Sequence, residues 1–187
     1  MFAQLSPRGW NPEVLLTPET RKRDYWPDPS KSPPVSHVKL IPMEMNHVDK
    51  VLKIERDSFP TPWSVDAFEY DLTENQLAHY WVTLIRKEIV GYSGIWLVGN
   101  IAHLTTLCIE KDSRRLGLGK WLLLKTMQMG AELGAQRYTL EVRESNEAAI
   151  KLYEGVGYRT VGRRPNYYQE IGEDALVMWT GDPPYED

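Results

Sequence analysis

Apolar positions along the chain recur with two periods, and the changes between them mark out the elements. From His37 onward, strand-like and helix-like segments alternate. Val38 to Ile41 is a short apolar run, read as a strand. Glu44 to Ser58 places Val48, Val51, Leu52, Ile54 and Glu55 at helical spacing as one stripe. The segment Phe59-Pro60-Thr61-Pro62-Trp63-Ser64 ends that helix, because neither proline suits a helix interior. Ser64 is then expected to cap a second helix running to about Leu72. Tyr80 to Ile85, Ile89 to Val98 and Ile101 to Ile109 read as three consecutive strands with tight connections.

A helix is expected to open after Arg114-Arg115-Leu116-Gly117-Leu118-Gly119-Lys120, with Leu118, Trp121, Leu122, Met129 and Leu133 on its apolar side and Gly134 as its stop. Tyr138 to Val142 reads as a strand. Ser145 is expected to cap a helix carrying Ala149, Leu152, Tyr153 and Val156 on one face. Gly157 to Val161 and Ala175 to Thr180 complete the strands. The order β-α-α-β-β-β-α-β-α-β-β predicts an α/β domain on a mixed sheet, without internal repeats.

Composition narrows the picture. With 187 residues the chain is long enough for one domain and its core, here read as residues 37–180 between an N-terminal tail, 1–36, and a short C-terminal tail, 181–187. Seven of the 13 prolines fall in the first 36 residues, which excludes a long helix or central strand there and predicts a flexible tail. Twenty-two Lys+Arg against 26 Asp+Glu give a net charge of −4, so direct nucleic-acid binding is not expected. One cysteine, Cys108, excludes an internal disulfide framework and a thiolate zinc cluster, and the four histidines show no metal spacing. Ile89 to Ile109 contains no Asp, Glu, Lys or Arg, yet its Gly99-Asn100 centre reads as a hairpin turn rather than the middle of a membrane span. Met1 to Trp10 lacks a basic stretch followed by an apolar one, so no secretory leader is expected and the reducing cytoplasm is the expected compartment.

The glycine loop is the first candidate for chemistry. A loop with two glycines that follows a strand and opens a helix presents backbone N–H groups and a helix dipole to an anion. Arg114, Arg115 and Lys120 add formal charge around it. It is not a P-loop, which has four residues between its glycines and Lys-Ser/Thr after them; here Lys120 precedes Trp121. Nor is it a dinucleotide fingerprint, because Leu122 stands where the third glycine belongs.

The second candidate is a carboxylate and a phenol. Glu141 ends a strand, where open α/β sheets place their ligands. Asn146 and Tyr153 are seven residues apart, on one face of the following helix, and Tyr153 points inward with a hydroxyl that needs a partner. Proton acceptor and proton donor together suit transfer between an amine and a thiolate. Taken singly, Glu141 could instead pair with Arg137 or Arg143 at the surface, and Tyr153 could be ordinary core.

With these features together, the sequence resembles the GNAT superfamily of acetyl-CoA-dependent N-acetyltransferases, and within it the branch that acetylates ribosomal-protein alanines. Arg114-Arg115-Leu116-Gly117-Leu118-Gly119 is similar to the family's (Gln/Arg)-x-x-Gly-x-(Gly/Ala) loop. Glu141-Val142-Arg143-Glu144-Ser145-Asn146, continuing to Leu152-Tyr153, resembles the branch's catalytic segment. Arg163-Arg164-Pro165-Asn166-Tyr167-Tyr168, with Glu173-Asp174-Ala175, and Phe59-Pro60-Thr61-Pro62-Trp63-Ser64 resemble its peptide-lining loops. The likeness covers about Val38 to Thr180, and Pro165 is an extra residue relative to the usual spacing.

The resemblance implies a mixed, mostly antiparallel central sheet flanked by helices. It implies acetyl-CoA as co-substrate, with no metal, and a protein N-terminus as acceptor. Leu107, Cys108 and Ile109 would hold the pantetheine arm and thioester by their backbone. Arg114, Arg115, Leu116, Gly117, Leu118, Gly119 and Lys120 would cradle the pyrophosphate, and Asn146 would contact the co-substrate. Glu141 would be the base, through water, and Tyr153 the acid. Phe59, Pro60, Trp63, Tyr167 and Tyr168 would line the acceptor.

Other functions stay open at this point. The acceptor could be a lysine or small amine, or the fold could bind an acyl-CoA without catalysis. A Cys108 nucleophile needs a neighbouring histidine. His103, five residues back, is expected on the opposite strand face by parity.

Overall fold

The computed structural model describes residues 35–180, so most of the expected tail 1–36 and all of 181–187 lie outside the described residues. Seven strands form one sheet in the order β1-β2-β3-β4-β5-β7-β6. In chain order the elements are β1 (Val38–Pro42), α1 (Val48–Ser58), α2 (Val65–Thr73), β2 (Ala78–Ile85), β3 (Glu88–Val98) and β4 (Ile101–Ile109). There follow α3 (Leu118–Glu132), β5 (Arg137–Arg143), α4 (Glu147–Glu154), β6 (Tyr158–Tyr168) and β7 (Glu173–Thr180). All pairings are antiparallel except that of β4 with β5. The expected order of elements is the observed one.

Helices cover both faces of the sheet. On one face α1 and α2 bury Val51, Leu52, Ile54 and Phe68 against Tyr80, Val82, Tyr92 and Cys108. On the other, α3 and α4 bring Leu123, Met127 and Tyr153 onto Trp81, Ile95, Leu140 and Met178. The five residues expected on the inner stripe of α1 are the five that are buried. Among the described residues no helix is long and apolar enough to cross a membrane, and the uncharged stretch Ile89 to Ile109 is the β3–β4 hairpin, turning with Gly99 at φ 57°.

Three details differ from expectation. Ser145 does not cap α4. Asn146 does, its side-chain oxygen accepting the Ala149 N–H at 3.2 Å. β6 does not stop at Val161 but runs to Tyr168, with the register slipping between Arg164 and Tyr168. That slip absorbs Pro165: Asn166 takes φ 50° and donates its N–H to Asp174 Oδ1 at 2.7 Å. Arg163 ion-pairs with both Asp174 and Glu144, and Glu173 accepts the Ser145 N–H at 2.6 Å. The Glu173-Asp174 pair therefore staples the end of β6 to the β5–α4 turn.

The third difference lies in β4. Its pairing with β3 shifts between Gly94 and Ile95, leaving Thr105 as an extra residue. The Thr105 and Thr106 hydroxyls consequently meet Tyr80 and Tyr92 on the same face. The bulge resets the alternation, so His103 shares a face with Cys108, contrary to the parity count. They remain five residues, roughly 15 Å, apart along the strand, which still leaves Cys108 without a histidine partner from this position.

Candidate active site

The site begins where two parallel strands stop pairing. β4 and β5 are matched only at Ile101↔Arg137, Ala102↔Tyr138 and His103↔Thr139. Beyond that rung β4 continues to Ile109 and β5 to Arg143 without a ladder between them. The strands part into a wedge, one side of which is the backbone of Leu107, Cys108 and Ile109. Backbone N–H and C=O groups facing a gap of this kind need partners from elsewhere.

At the apex of the wedge, Glu141 leaves β5 on the face of α1 and α2 and meets His103 from β4: Nε2 to Oε2 is 3.0 Å, and both side chains are 5% exposed. Its other oxygen faces Arg164 from β6 at 3.2 Å. Neither Arg137 nor Arg143 is the partner. Burial works to raise the Glu141 carboxyl, but the His103 hydrogen bond and charge and the Arg164 guanidinium outweigh it and hold the carboxyl below its ordinary value. Arg164 also lies over the Tyr167 ring, 5.7 Å from its centroid.

Tyr153 comes to the wedge from the opposite side of the sheet. Its ring is buried against Tyr158 at 5.7 Å in the core beneath α3 and α4. Burial pushes its hydroxyl well up, and the Cys108 thiol, on the other face of β4, adds to the rise. Tyr167 and Tyr168 pack edge to face at 5.1 Å at the end of β6. Burial raises Tyr168 first, then Tyr167, Glu141 and Tyr153 beside it; burial and Glu141 push Tyr167 up to about 12. Glu141, Tyr153, Tyr167 and Tyr168 thus form one electrostatic neighbourhood.

The glycine loop lies on the chain that leaves β4. Arg115 at φ 61° and Gly117 at φ 77° both take the left-handed conformation, and no side chain caps α3 at Gly117. The first-turn N–H groups of Leu118, Gly119 and Lys120 are left for a ligand. A Cβ built on Gly119 would meet only Leu152, at 3.7 Å, so packing within the protein does not require glycine there. Arg115, Leu116 and Lys120 are exposed around this turn, while the Leu118 side chain is in the core. Arg114 is engaged otherwise: it donates to the Ile109 carbonyl and to Ser58 Oγ, both at 2.8 Å, tying the end of β4 to the end of α1. Asn146 likewise has a local task as the α4 cap. The open helix end, the side-chain-free Gly119 and the unladdered β4 backbone fit a diphosphate followed by an extended arm.

On the α1–α2 side, Phe59 and Trp63 pack against the core while Pro60 is exposed. The Trp63 ring contacts Phe68 at 5.5 Å and Tyr80 at 6.3 Å. The residues that sequence reasoning left out of the site are His103 and Arg164. Arg164 stood inside a quoted motif. His103 was hidden by the bulge, which has no signature in one sequence.

Comparisons with known proteins identify the family. Residues 48–158 match the acetyltransferase (GNAT) family. A Bacillus subtilis (strain 168) relative, whose name gives ribosomal protein bS18-alanine N-acetyltransferase activity provisionally, is 41% identical over 137 residues, 73% of this chain and 91% of the relative. The ribosomal protein bS18-alanine N-acetyltransferase of Escherichia coli (strain K12) is 31% identical over 138 residues, covering 73% and 92%. The crystal structure of the Escherichia coli ribosomal-protein-S18-alanine N-acetyltransferase superposes with a TM-score of 0.70 at 26% identity, covering 80% of this chain and 99% of that one. A family match over more than half of its residues, joined to relatives spanned almost end to end, means that this chain belongs to the GNAT acetyltransferase family and is an acetyl-CoA-dependent N-acetyltransferase.

Proposed function

We propose that the protein acetylates the α-amine of a protein N-terminus, an alanine of a ribosomal protein being the favoured acceptor, with Glu141 as base and Tyr153 as acid. One observation carries the reading: the Glu141 carboxylate is buried against His103 just past the point where β4 and β5 stop pairing, with the Tyr153 phenol buried on the other side of the sheet. The names of the relatives support the acceptor.

Acetyl-CoA, when bound, supplies the acyl group and departs as a thiolate. The loop from Arg115 to Lys120 binds its diphosphate, and the backbone of Leu107 to Ile109 aligns the arm in the wedge. Phe59, Pro60 and Trp63 on one side, and Tyr167 and Tyr168 on the other, line the acceptor's path. The acceptor nitrogen forms the new bond as the carbon–sulfur bond breaks, and its surplus proton passes by way of water to Glu141. Tyr153, as acid, hydrogen-bonds the sulfur as it leaves as a thiolate and then passes it a proton that solvent replaces. A thiol titrates near ~8.5, so a hydrogen bond from a phenol of raised pKa is help enough. Exchange with solvent restores both groups.

The depressed Glu141 carboxyl favours this acceptor class. An α-amine titrates near ~7.9, so roughly one in ten molecules is neutral at pH 7; for a lysine near ~10.4 the fraction is roughly one in 2,500. That difference, about 3.4 kcal/mol, is work a weak base cannot readily do. A peptide with a free N-terminal alanine and an internal lysine, compared with the same peptide blocked at its α-amine, tests the reading. Acetylation of the first only is expected; equal acetylation of both means a lysine acceptor, and acetyl-CoA binding with no thiol release from either peptide means a non-catalytic module.

A further inference from the structure

The connection between α1 and α2 has few means of holding its shape. Pro60 and Pro62 have no N–H to donate. The two donors at its ends both go to one residue: the Phe59 N–H to the Glu55 carbonyl at 2.9 Å, and the Trp63 N–H to Glu55 Oε1 at 3.0 Å. Just before the connection, Ser58 is bound by Arg114, which also holds the Ile109 carbonyl. Glu55 thus stands between the connection and the strand that borders the wedge, close enough for Cys108 on β4 and Tyr80 on β2 to feel its charge.

Glu55 is a poor choice for stability alone. It is 2% exposed, and its second oxygen, Oε2, is buried without a hydrogen-bond partner. A buried carboxyl with one lone oxygen is disfavoured against an apolar side chain of similar volume, and local conflicts of this kind gather where function requires them.

We propose that Glu55 is a positioning residue for the acceptor: by holding the Trp63 end of the Phe59–Trp63 connection with its carboxyl, the Phe59 end being held by the helix backbone, it fixes the wall against which the incoming N-terminus lies, without touching the reacting atoms. This rests on the reading that the acceptor passes along that connection. Glu55→Gln keeps an oxygen for the Trp63 N–H, whereas Glu55→Met keeps only the volume.

The test combines steady-state kinetics on an alanine-first peptide with hydrogen exchange of residues 59–64 in the full chain. For Glu55→Met we expect a melting temperature at or above that of the parent, Trp63 amide exchange at least about fivefold faster, and a peptide KM raised at least about fivefold. The KM for acetyl-CoA should stay within about twofold, and Glu55→Gln should restore both exchange and peptide KM. Unchanged exchange in Glu55→Met overturns the proposal whatever the acceptor is. So does an equal rise in both KM values, or failure of both variants to fold. Faster exchange with an unchanged peptide KM shows instead that the acceptor takes another route, which separates the failure of that reading from the failure of the Glu55 anchor.

Discussion

Glu141 is a carboxylate gripped from two sides, by His103 on β4 and Arg164 on β6, and both grips favour its ionised form. It therefore stays charged below the pH at which a free glutamate protonates. The acid side of the pH–rate profile for a peptide acceptor should consequently follow the peptide's own α-amine, rising towards about pH 8, with no break near 4.5 from the enzyme; a profile recorded with peptides of differing N-terminal pKa checks this. Glu141→Gln and Tyr153→Phe should each lose at least about 100-fold in turnover while acetyl-CoA binding is kept. Normal turnover in either variant removes that residue from its role.

Glu55 makes the opposite thermodynamic contribution. Burial pushes it up to about 7 against the pull of the Trp63 N–H, from 4.5 in an unfolded chain. A raised acid binds its proton more tightly in the folded state, so the stability it lends is full below pH 4.5 and is lost as pH rises to about 7. The difference is on the order of 3 kcal/mol. Glu55→Gln should flatten the fall in unfolding free energy across that window in denaturant titrations. An unaltered slope would show that the carboxyl is solvated in the folded protein.

Among the elements, the α3 N-terminus sets a tolerant glycine beside a constrained one. Gly119 has room for a methyl group inside the protein, and the family's loop takes either glycine or alanine at this position, so Gly119→Ala should keep both its melting temperature and, within about threefold, its KM for acetyl-CoA. Gly117 differs: at φ 77° an alanine there should cost about 1–2 kcal/mol of stability. Calorimetry alongside kinetics distinguishes the two. The glycines were legible in the sequence because turn chemistry is local, and so was every strand and helix in order. What sequence could not carry was relational. The β4–β5 wedge exists because pairing stops after His103↔Thr139, and no property of either strand alone announces it. The Thr105 bulge inverted the parity that should have located His103. Asn146 took the cap from Ser145 by a one-residue shift, and the Arg163 and Asn166 bonds to Asp174 held β6 extended past Val161, where the strand read as ending.

At the scale of the whole molecule, the sheet brings chemistry from both of its faces to one opening. Glu141 arrives on the side of α1 and α2, Tyr153 from beneath α3 and α4, and the strands part between them. On the proposed reading, an arm lying in that opening would pass between the carboxylate and the phenol, and the acceptor would come in between the Phe59–Trp63 connection and the end of β6. The most direct test is mass spectrometry of a peptide that begins with a free alanine and contains one lysine, after incubation with acetyl-CoA and the full chain. One acetyl group on the α-nitrogen, absent with Glu141→Gln, is the expected result. Acetyl found on the lysine, or an α-acetyl formed as fast by Glu141→Gln, would contradict the account.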